Sequence, residues 1–235
     1  MKPIIILAGG FGTRLRAVVP ELPKPLAPIA GRPFLWWLLR TLELQGVQDV
    51  YLSTGYKAEL IQTVFGDHFG SIRLSYVVED EPLGTGGAIL KASREIEDDA
   101  FFVLNGDTLA VVDLAAMERA AHGSHSAVTL AVTHVEDASR YGTIGVDEGS
   151  RVVAFHAKGV PGPGFISAGV YLIERAALHS LSLPSKFSIE QDFFEQELQR
   201  LNIVAFPGVE AFIDIGVPDD YVLAQTKIPS LVGLP

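Results

Sequence analysis

The sequence predicts an α/β protein: a mainly parallel central sheet flanked by helices, with an extra mixed β region in the second half. Three observations carry this. Short apolar runs of strand length alternate with helix-length stretches between residues 3 and 107, the order of parallel βαβ units with helices on both faces. The strand candidates "PIIILA" and "AFFVL" are apolar without alternation, as buried parallel strands are. The first strand also runs directly into "GGFG", at a carboxyl end where open α/β sheets bind their ligands.

Taken in order, "PIIILA" (3–8) reads as the first strand. "FLWWLLRTLELQG" (34–46) has helical length and stops on Gly46. "DVYLST" (49–54) is a strand, "AELIQTVFG" (58–66) a short helix and "IRLSYVV" (72–78) a strand. "TGGAILKASREIE" (85–97) is a helix, and "AFFVLNGD" (100–107) a strand ending in a polar turn. Beyond it the β-like segments 126–132, 142–146, 151–157 and 164–173 follow with few helices between them, and "GVPGPG" (159–164) is a loop. "SIEQDFFEQELQRL" (188–201) places Ile189, Phe193, Phe194, Leu198 and Leu201 near helical spacing. Two β-like pieces, "NIVAFPG" and "AFIDIG", precede a last helix from Pro218, whose start is marked by proline followed by Asp219 and Asp220. No linker or repeat interrupts the chain, so residues 1–235 read as one domain.

Composition narrows the function. The net charge is −10, unlike the basic face of a nucleic-acid binder. No apolar run approaches the roughly 18 residues of a membrane helix, and no signal peptide opens the chain. Cysteine is absent, which excludes disulfides and thiolate metal sites. A cytoplasmic protein without nucleic-acid or membrane partners is expected. The charge is uneven: residues 1–42 carry six basic residues and one acid, a balance of +5 that leaves −15 for the rest. Either a local anion site or chance clustering in a short window accounts for it.

Glycine lets backbone N–H groups converge on phosphate oxygens without a Cβ in the way. "GGFGTRL" is neither of two familiar phosphate loops. A dinucleotide fingerprint needs a third glycine where Leu15 stands, and a P-loop needs Gly-Lys-Ser/Thr, which the chain lacks. About ten residues on, Pro23, Pro25 and Pro28 hold "LPKPLAP" extended around Lys24. Alone, Lys24 reads as a solvated lysine in a proline-rich loop. With the glycines and Arg14 it matches a triphosphate site.

"LAGGFGTRL…LPKPLAPIAGRP" resembles the signature of the sugar-1-phosphate nucleotidyltransferases, G-x-G-T-R-L followed by P-K-P. The similarity continues through "GTGGAI" (84–89), "LNGD" (104–107), "YGTI" (141–144), "ISAGVY" (166–171), "FSIEQDF" (187–193) and "DIGVPDDY" (214–221). Within the family, "RAVVPELPKP" and "EDEPLGTGGAI" look most like the heptose 1-phosphate guanylyltransferases. The resemblance implies a Rossmann-like nucleotidyltransferase fold, with a nucleotide-binding part over about 1–110 and a sugar-phosphate part over about 111–235. It implies GTP and a sugar 1-phosphate as substrates and Mg²⁺ as cofactor. Leu7, Ala8, Gly9, Gly10, Gly12 and Thr13 would cradle the nucleotide. Arg14 would hold the leaving pyrophosphate, and Lys24 would sit by the α-phosphate. Asp107 and Asp214 would hold the metal, with Arg14, Lys24 and Asp107 forming the catalytic set. Gly84, Thr85 and Gly86 would pack against the base. Glu79, with Asp80 beside it, would accept from a guanine's ring N–H and amino group, because ionised carboxylates only accept. Tyr141, Gly142, Lys158 and Ser167 would line the sugar-phosphate end.

Two departures stand at that end. The family carries Glu-Lys where this chain has Ala157-Lys158, and Asn-Ala-Gly where it has Ser167-Ala168-Gly169. A sugar larger than, or oriented differently from, the usual hexose fits these changes. Uridylyl or thymidylyl transfer to a hexose or amino sugar is the alternative within the class. A non-catalytic nucleotide-sugar-binding subunit is the alternative outside it. Such subunits often lose the loop arginine or lysine, whereas Arg14, Lys24, Asp107 and Asp214 are all present. His122 and His125 lack further ligands at zinc spacing and read as a solvated turn. Trp36 and Trp37 read as core, and segments 34–39 and 228–235 serve either the core or a homodimer contact.

Overall fold

In the computed structural model, residues 1–10, 15, 18, 19 and 21–233 are described. The chain begins with β1 (Ile4–Leu7). A 3-10 turn at Lys24–Leu26 leads into the small hairpin β2 (Pro28–Ile29) and β3 (Arg32–Pro33), and then α1 (Phe34–Leu44). Next come β4 (Asp49–Thr54), α2 (Ala58–Phe65), β5 (His68–Phe69), β6 (Ile72–Val78) and α3 (Gly84–Ala92). They are followed by β7 (Ala100–Asn105), β8 (Thr108–Val112), α4 (Leu114–Ser124), β9 (Val128–Val135), β10 (Ile144–Val146) and β11 (Val152–Phe155). The long β12 (Gly164–Glu174), α5 (Arg175–His179), a π-helical turn at Ile189–Phe194, α6 (Glu195–Glu197), β13 (Ile203–Phe206), β14 (Val209–Asp214) and α7 (Pro218–Val232) complete the described elements.

Eight of the described strands form one sheet in the order β13-β9-β12-β7-β1-β4-β6-β5. β1 lies parallel between β4 and β7, β6 continues parallel to β4, and β13 runs parallel to β9. β12 is antiparallel to both its neighbours, and β5 is antiparallel to β6. The sheet is thus mainly parallel with a mixed half, as the sequence predicts.

The apolar run of β1 is explained by burial on both faces. Ile4 and Ile6 join a core with Leu35 and Leu38 of α1, Met117 of α4 and Ala224 of α7. Ile5, pointing the other way, joins Ile89 of α3, Leu178 of α5 and Ile189, the period-two split of a strand. The same packing absorbs the apolar segments at 34–39 and 228–232. Trp37 is buried with its ring N–H donating to Ile29 O (3.0 Å), and Ile228 and Val232 are in the core. Residues 234 and 235 lie outside the described set. Trp36, half-buried, carries the Arg32 guanidinium 4.4 Å from its ring centre.

Three differences from the expected elements have local causes. β8 and α4 occupy 108–124, where no element is expected, because the alanine-rich "LAAMERAAHGS" carries a weak apolar stripe; Asp113 caps α4 by accepting from Ala116 N (2.8 Å). His122 therefore lies in the last turn of α4, and His125 is its left-handed C-cap (φ 50°). The 188–201 segment is a π-helical turn followed by one α-turn, and Ile189, Phe193 and Phe194 are all buried there.

One arrangement outside the main sheet positions the site. β8 leaves the end of β7 and pairs antiparallel with β14, in a register that puts Asp214 opposite Thr108. Ile215 N donates to Asp107 O (3.0 Å). Two aspartates about a hundred residues apart in sequence are thereby brought to one corner.

The start of α3 packs on segment 183–189 through its glycines. A Cβ on Gly87 would lie 2.2 Å from the Ser185 carbonyl oxygen, a backbone atom with little room to yield. Gly87→Ala is expected to lower stability by about 1–3 kcal/mol, as overpacking does. The reading is a lower urea midpoint with an unchanged slope.

Candidate active site

The carboxyl ends of β1 and β7, with Glu79 just past the end of β6, open onto a cleft of about 840 Å³. Its lining joins residues from both halves of the chain. Leu7, Ala8, Gly9 and Gly10 form its rim at the end of β1. Here the backbone is tightly held: Ala8 N donates to Ser53 O (2.7 Å) and Gly106 N to Leu7 O (3.0 Å). A Cβ on Gly9 would come within 2.6 Å of Glu79 Oε1 and 3.2 Å of Gly55 N, so the close approach of three chain segments requires glycine. Gly12, Thr13 and Arg14 lie outside the described residues.

Lys24, Asp107 and Asp214 meet in this cleft. The proline-bracketed 3-10 turn, closed by Leu26 N to Pro23 O (2.8 Å) and Ala27 N to Lys24 O (3.0 Å), sets the lysine. Its ammonium donates to Asp107 Oδ2 at 2.7 Å, and its side chain is only 11% exposed. Lys24 is thus a buried, paired cation, not a solvated one. Asp214 Oδ1 accepts from Gly216 N (2.6 Å). Burial, and then the Asp107 charge, push the Asp214 carboxyl above the ordinary aspartate range; the Gly216 amide, Lys24 and Arg140 pull the other way without cancelling this. Among the described residues, the Asp107 and Asp214 carboxylates thus share the Lys24 ammonium, with the Arg140 guanidinium also acting on Asp214.

On one wall, Glu79 lines the cleft with both oxygens engaged: Ser53 Oγ donates to Oε1 and Leu83 N to Oε2, each at 3.1 Å. Each carboxylate oxygen retains a further acceptor site. Asp80, expected beside it, does not line the cleft. Its side chain is 93% exposed and pairs with Lys91 (3.4 Å), because it follows the turn out of β6 into solvent. Gly84 and Thr85 line the cleft, and Thr85 Oγ1 accepts from Ile189 N (3.0 Å). Gly86 is not among the lining residues. It is buried against the Phe187 ring, and its N–H donates to Phe187 O (2.9 Å).

At the opposite end the lining contains Tyr141, Gly142, Lys158 and Ser167, with Ala157 beside the lysine. Tyr141 packs edge-on to Phe212 at 5.9 Å. Sequence reading missed several polar lining residues, Asn105, Tyr171 and Glu190 among them. Tyr171 is buried, and its hydroxyl donates to Glu190 Oε1 (2.9 Å). The signals were faint. Tyr171 reads as one more strand residue, and Glu190 falls on the polar face of the 188–201 pattern.

The raised Asp214 carboxyl makes a stability prediction. An acid whose native pKa exceeds its unfolded value binds more protons in the native state across the window between the two, so stability falls as pH rises through that window. Asp214→Asn is expected to melt at a higher temperature than the unchanged protein at neutral pH in chelator. The gap should close as the pH falls below the ordinary aspartate range. Thermal unfolding curves across about pH 3–8 read both effects; a lower melting temperature at neutral pH would contradict the electrostatic picture.

Comparison with known proteins places this arrangement. The family model described as nucleotidyl transferase matches residues 3–230. A D-glycero-alpha-D-manno-heptose 1-phosphate guanylyltransferase of Aneurinibacillus thermoaerophilus is 46% identical over 95% of this chain and 97% of its own length. The enzyme of the same description from Campylobacter jejuni is 40% identical over 92% and 96%. The crystal structure of HddC from Yersinia pseudotuberculosis complexed with GMP-PN superposes with a TM-score of 0.84 at 38% identity, covering 97% of this chain and 99% of that one. The glycine turn, the lysine and the paired aspartates all lie inside the matched span, and the chain belongs to the nucleotidyl transferase family.

Proposed function

We propose that the protein transfers GMP from GTP to D-glycero-α-D-manno-heptose 1-phosphate, giving GDP-heptose and pyrophosphate. A phosphate oxygen of the sugar 1-phosphate attacks the α-phosphorus of GTP. The new P–O bond forms as the bond to the pyrophosphate oxygen breaks. Both reactants are anions, so the protein's work is to neutralise, align and hold them. The observation that carries the reading is the buried Lys24 ammonium paired with Asp107, with Asp214 beside them, at the end of β1 where the glycine turn begins.

On this reading the nucleotide-binding part is about 1–110 and the sugar-phosphate part about 111–235, one domain built around one cleft. The amides of Gly9 and Gly10, with Gly12 and Thr13, cradle the phosphates. Arg14 steadies the departing pyrophosphate, and Lys24 neutralises the charge that grows on the α-phosphate. Glu79 accepts from the guanine edge while keeping its Ser53 and Leu83 bonds, with Leu7, Ala8, Gly84, Thr85 and the Gly86 backbone shaping the base pocket. Lys158 meets the sugar phosphate, and Tyr141, Gly142 and Ser167 border the sugar.

The two carboxylates brought to one corner by the β8–β14 pairing fit Mg²⁺, which takes one or two carboxylates and completes its shell with phosphate and water oxygens. Asp107 and Asp214 would hold the ion, which would supply screening of the phosphates and polarisation of the α-phosphoryl group. No helix among the described residues is long and apolar enough to cross a membrane. A cytoplasmic enzyme supplying GDP-heptose for surface polysaccharide completes the reading.

The test offers the purified protein each of the four nucleoside triphosphates with a panel of sugar 1-phosphates, and measures pyrophosphate. GTP with the heptose 1-phosphate is expected to give the fastest release. Absence of release with every pair would favour the non-catalytic alternative. Lys24→Ala and Asp107→Ala should each lose roughly 100-fold or more in kcat/KM, the scale of removing one electrostatic contact to a transition state, while keeping a cooperative unfolding transition. An Asp107→Ala enzyme of near-normal activity would remove the metal assignment.

A further inference from the structure

Glu190 lies in the π-helical turn and lines the cleft. Single π-turns inside helices occur frequently at functional sites, but the argument rests on what the carboxylate touches. A directed chain of hydrogen bonds ends on it. Gly169 N donates to Ser167 Oγ (3.2 Å), Ser167 Oγ donates to the Tyr171 hydroxyl (3.3 Å), and that hydroxyl donates to Glu190 Oε1 (2.9 Å). The Asn105 side chain also bonds the phenol. A phenol has one proton to give. Burial holds Tyr171 protonated by pushing its hydroxyl well above the ordinary tyrosine range. Its single proton is therefore committed to Glu190, and every link of the chain points the same way, each polarising the next.

Backbone geometry supports this arrangement. β12 breaks register between Ser167 and Tyr171, where four steps on β12 span two on β9. Bulges of this kind re-aim side chains beside active sites. Inside the bulge Gly169 has φ +71°, and a Cβ there would lie 2.7 Å from Asn105 Nδ2. The bulge thus lets Asn105, Ser167 and Tyr171 converge under one carboxylate. Glu190, with Oε1 held by a buried phenol, has acceptor capacity left. At this end of the cleft such a group repels phosphate and attracts hydroxyl. The phosphate is matched instead by Lys158.

We infer that Glu190, anchored by Tyr171, accepts a hydrogen bond from a ring or side-chain hydroxyl of the sugar 1-phosphate and sets the enzyme's sugar specificity. This rests on the function proposed above. It places the discriminating carboxylate on the π-helical turn, in a chain that has alanine at position 157.

The test is a coupling measurement. The unchanged enzyme and Glu190→Gln are each assayed with GTP and D-glycero-α-D-manno-heptose 1-phosphate, and with its single-deoxy analogues. For one analogue, the unchanged enzyme should lose about 10- to 100-fold in kcat/KM, as for a hydrogen bond to a charged group. Glu190→Gln should discriminate against that same analogue by about threefold or less, the level of a neutral contact. KM for GTP should hold in both. Tyr171→Phe gives a second route: it should weaken the same discrimination by releasing Glu190, and it serves if Glu190→Gln does not fold. A carboxylate that only braces Tyr171 would lower activity equally for all analogues, and equal ratios in the two enzymes overturn the inference. So does coupling that appears with 2′- or 3′-deoxy-GTP instead of a deoxy sugar. If the unchanged enzyme releases no pyrophosphate from any pair, the functional reading itself fails before the variants are compared, and the inference goes with it.

Discussion

The structure around the cleft depends on the meeting of Lys24, Asp107 and Asp214. A buried ammonium with 11% exposure is costly to keep unless it is paired, and Asp107 supplies the pair at 2.7 Å. The pairing needs three separate things to hold at once. The proline-bracketed turn must present Lys24, β7 must end at Asn105 so that Asp107 turns upward, and the β8–β14 ribbon must return Asp214 to the same corner. Burial and the neighbouring Asp107 disfavour the charge on Asp214. Electrostatic strain retained at a functional corner, with the rest of the core well packed, is the usual balance between stability and activity.

The two ends of the cleft are joined mechanically. The irregular stretch 183–188 and Ile189 at the start of the π-helical turn dock on the first turn of α3 through Phe187 N to Leu83 O (3.0 Å), Gly86 N to Phe187 O (2.9 Å) and Ile189 N to Thr85 Oγ1 (3.0 Å). Glycines at 86 and 87 allow the contact, since side chains there would collide with the Phe187 ring and the Ser185 carbonyl. "GTGG" is therefore a packing device. Three hydrogen bonds tie the first turn of α3 to the segment that leads into Glu190. This explains why Gly86 belongs to the motif without lining the cleft.

Much of this was legible from sequence where a physical signal was strong. β1 and β7 stood out because parallel strands covered on both faces read as near-continuous apolar runs, β4 and β6 as strand-length runs between helices, and α7 because proline and two aspartates mark its start. The cleft corner was legible through the glycine turn and the prolines around Lys24. What stayed hidden depends on distance in the chain. Nothing local shows that β14 pairs with β8, or that Asp80 turns outward while Glu79 turns in. α4 was hidden because alanines form helices without an apolar stripe to announce them. Tyr171 and Glu190 were hidden because each has an ordinary local explanation, and only the bulge in β12 brings them together.

A protein of net charge −10 has to bring two anions into one cleft. The overall field opposes this, but at physiological salt it is screened within about 8 Å, so the outcome is decided by groups at contact range. Among the described residues, Lys24 and Lys158 line the cleft, while Lys2 and Arg40 of the basic opening stretch pair with Asp99 and Glu43 elsewhere. Holding Lys24 against Asp107 keeps that charge ordered in a low-dielectric corner, where an ion pair interacts more strongly than it would in water. An incoming phosphate then competes for a cation already in place, and no long side chain has to be recruited and ordered from solvent. Preorganisation of this kind saves side-chain entropy on binding. The chain can therefore keep its net negative charge, because the groups that decide binding act at contact range and are fixed by the fold.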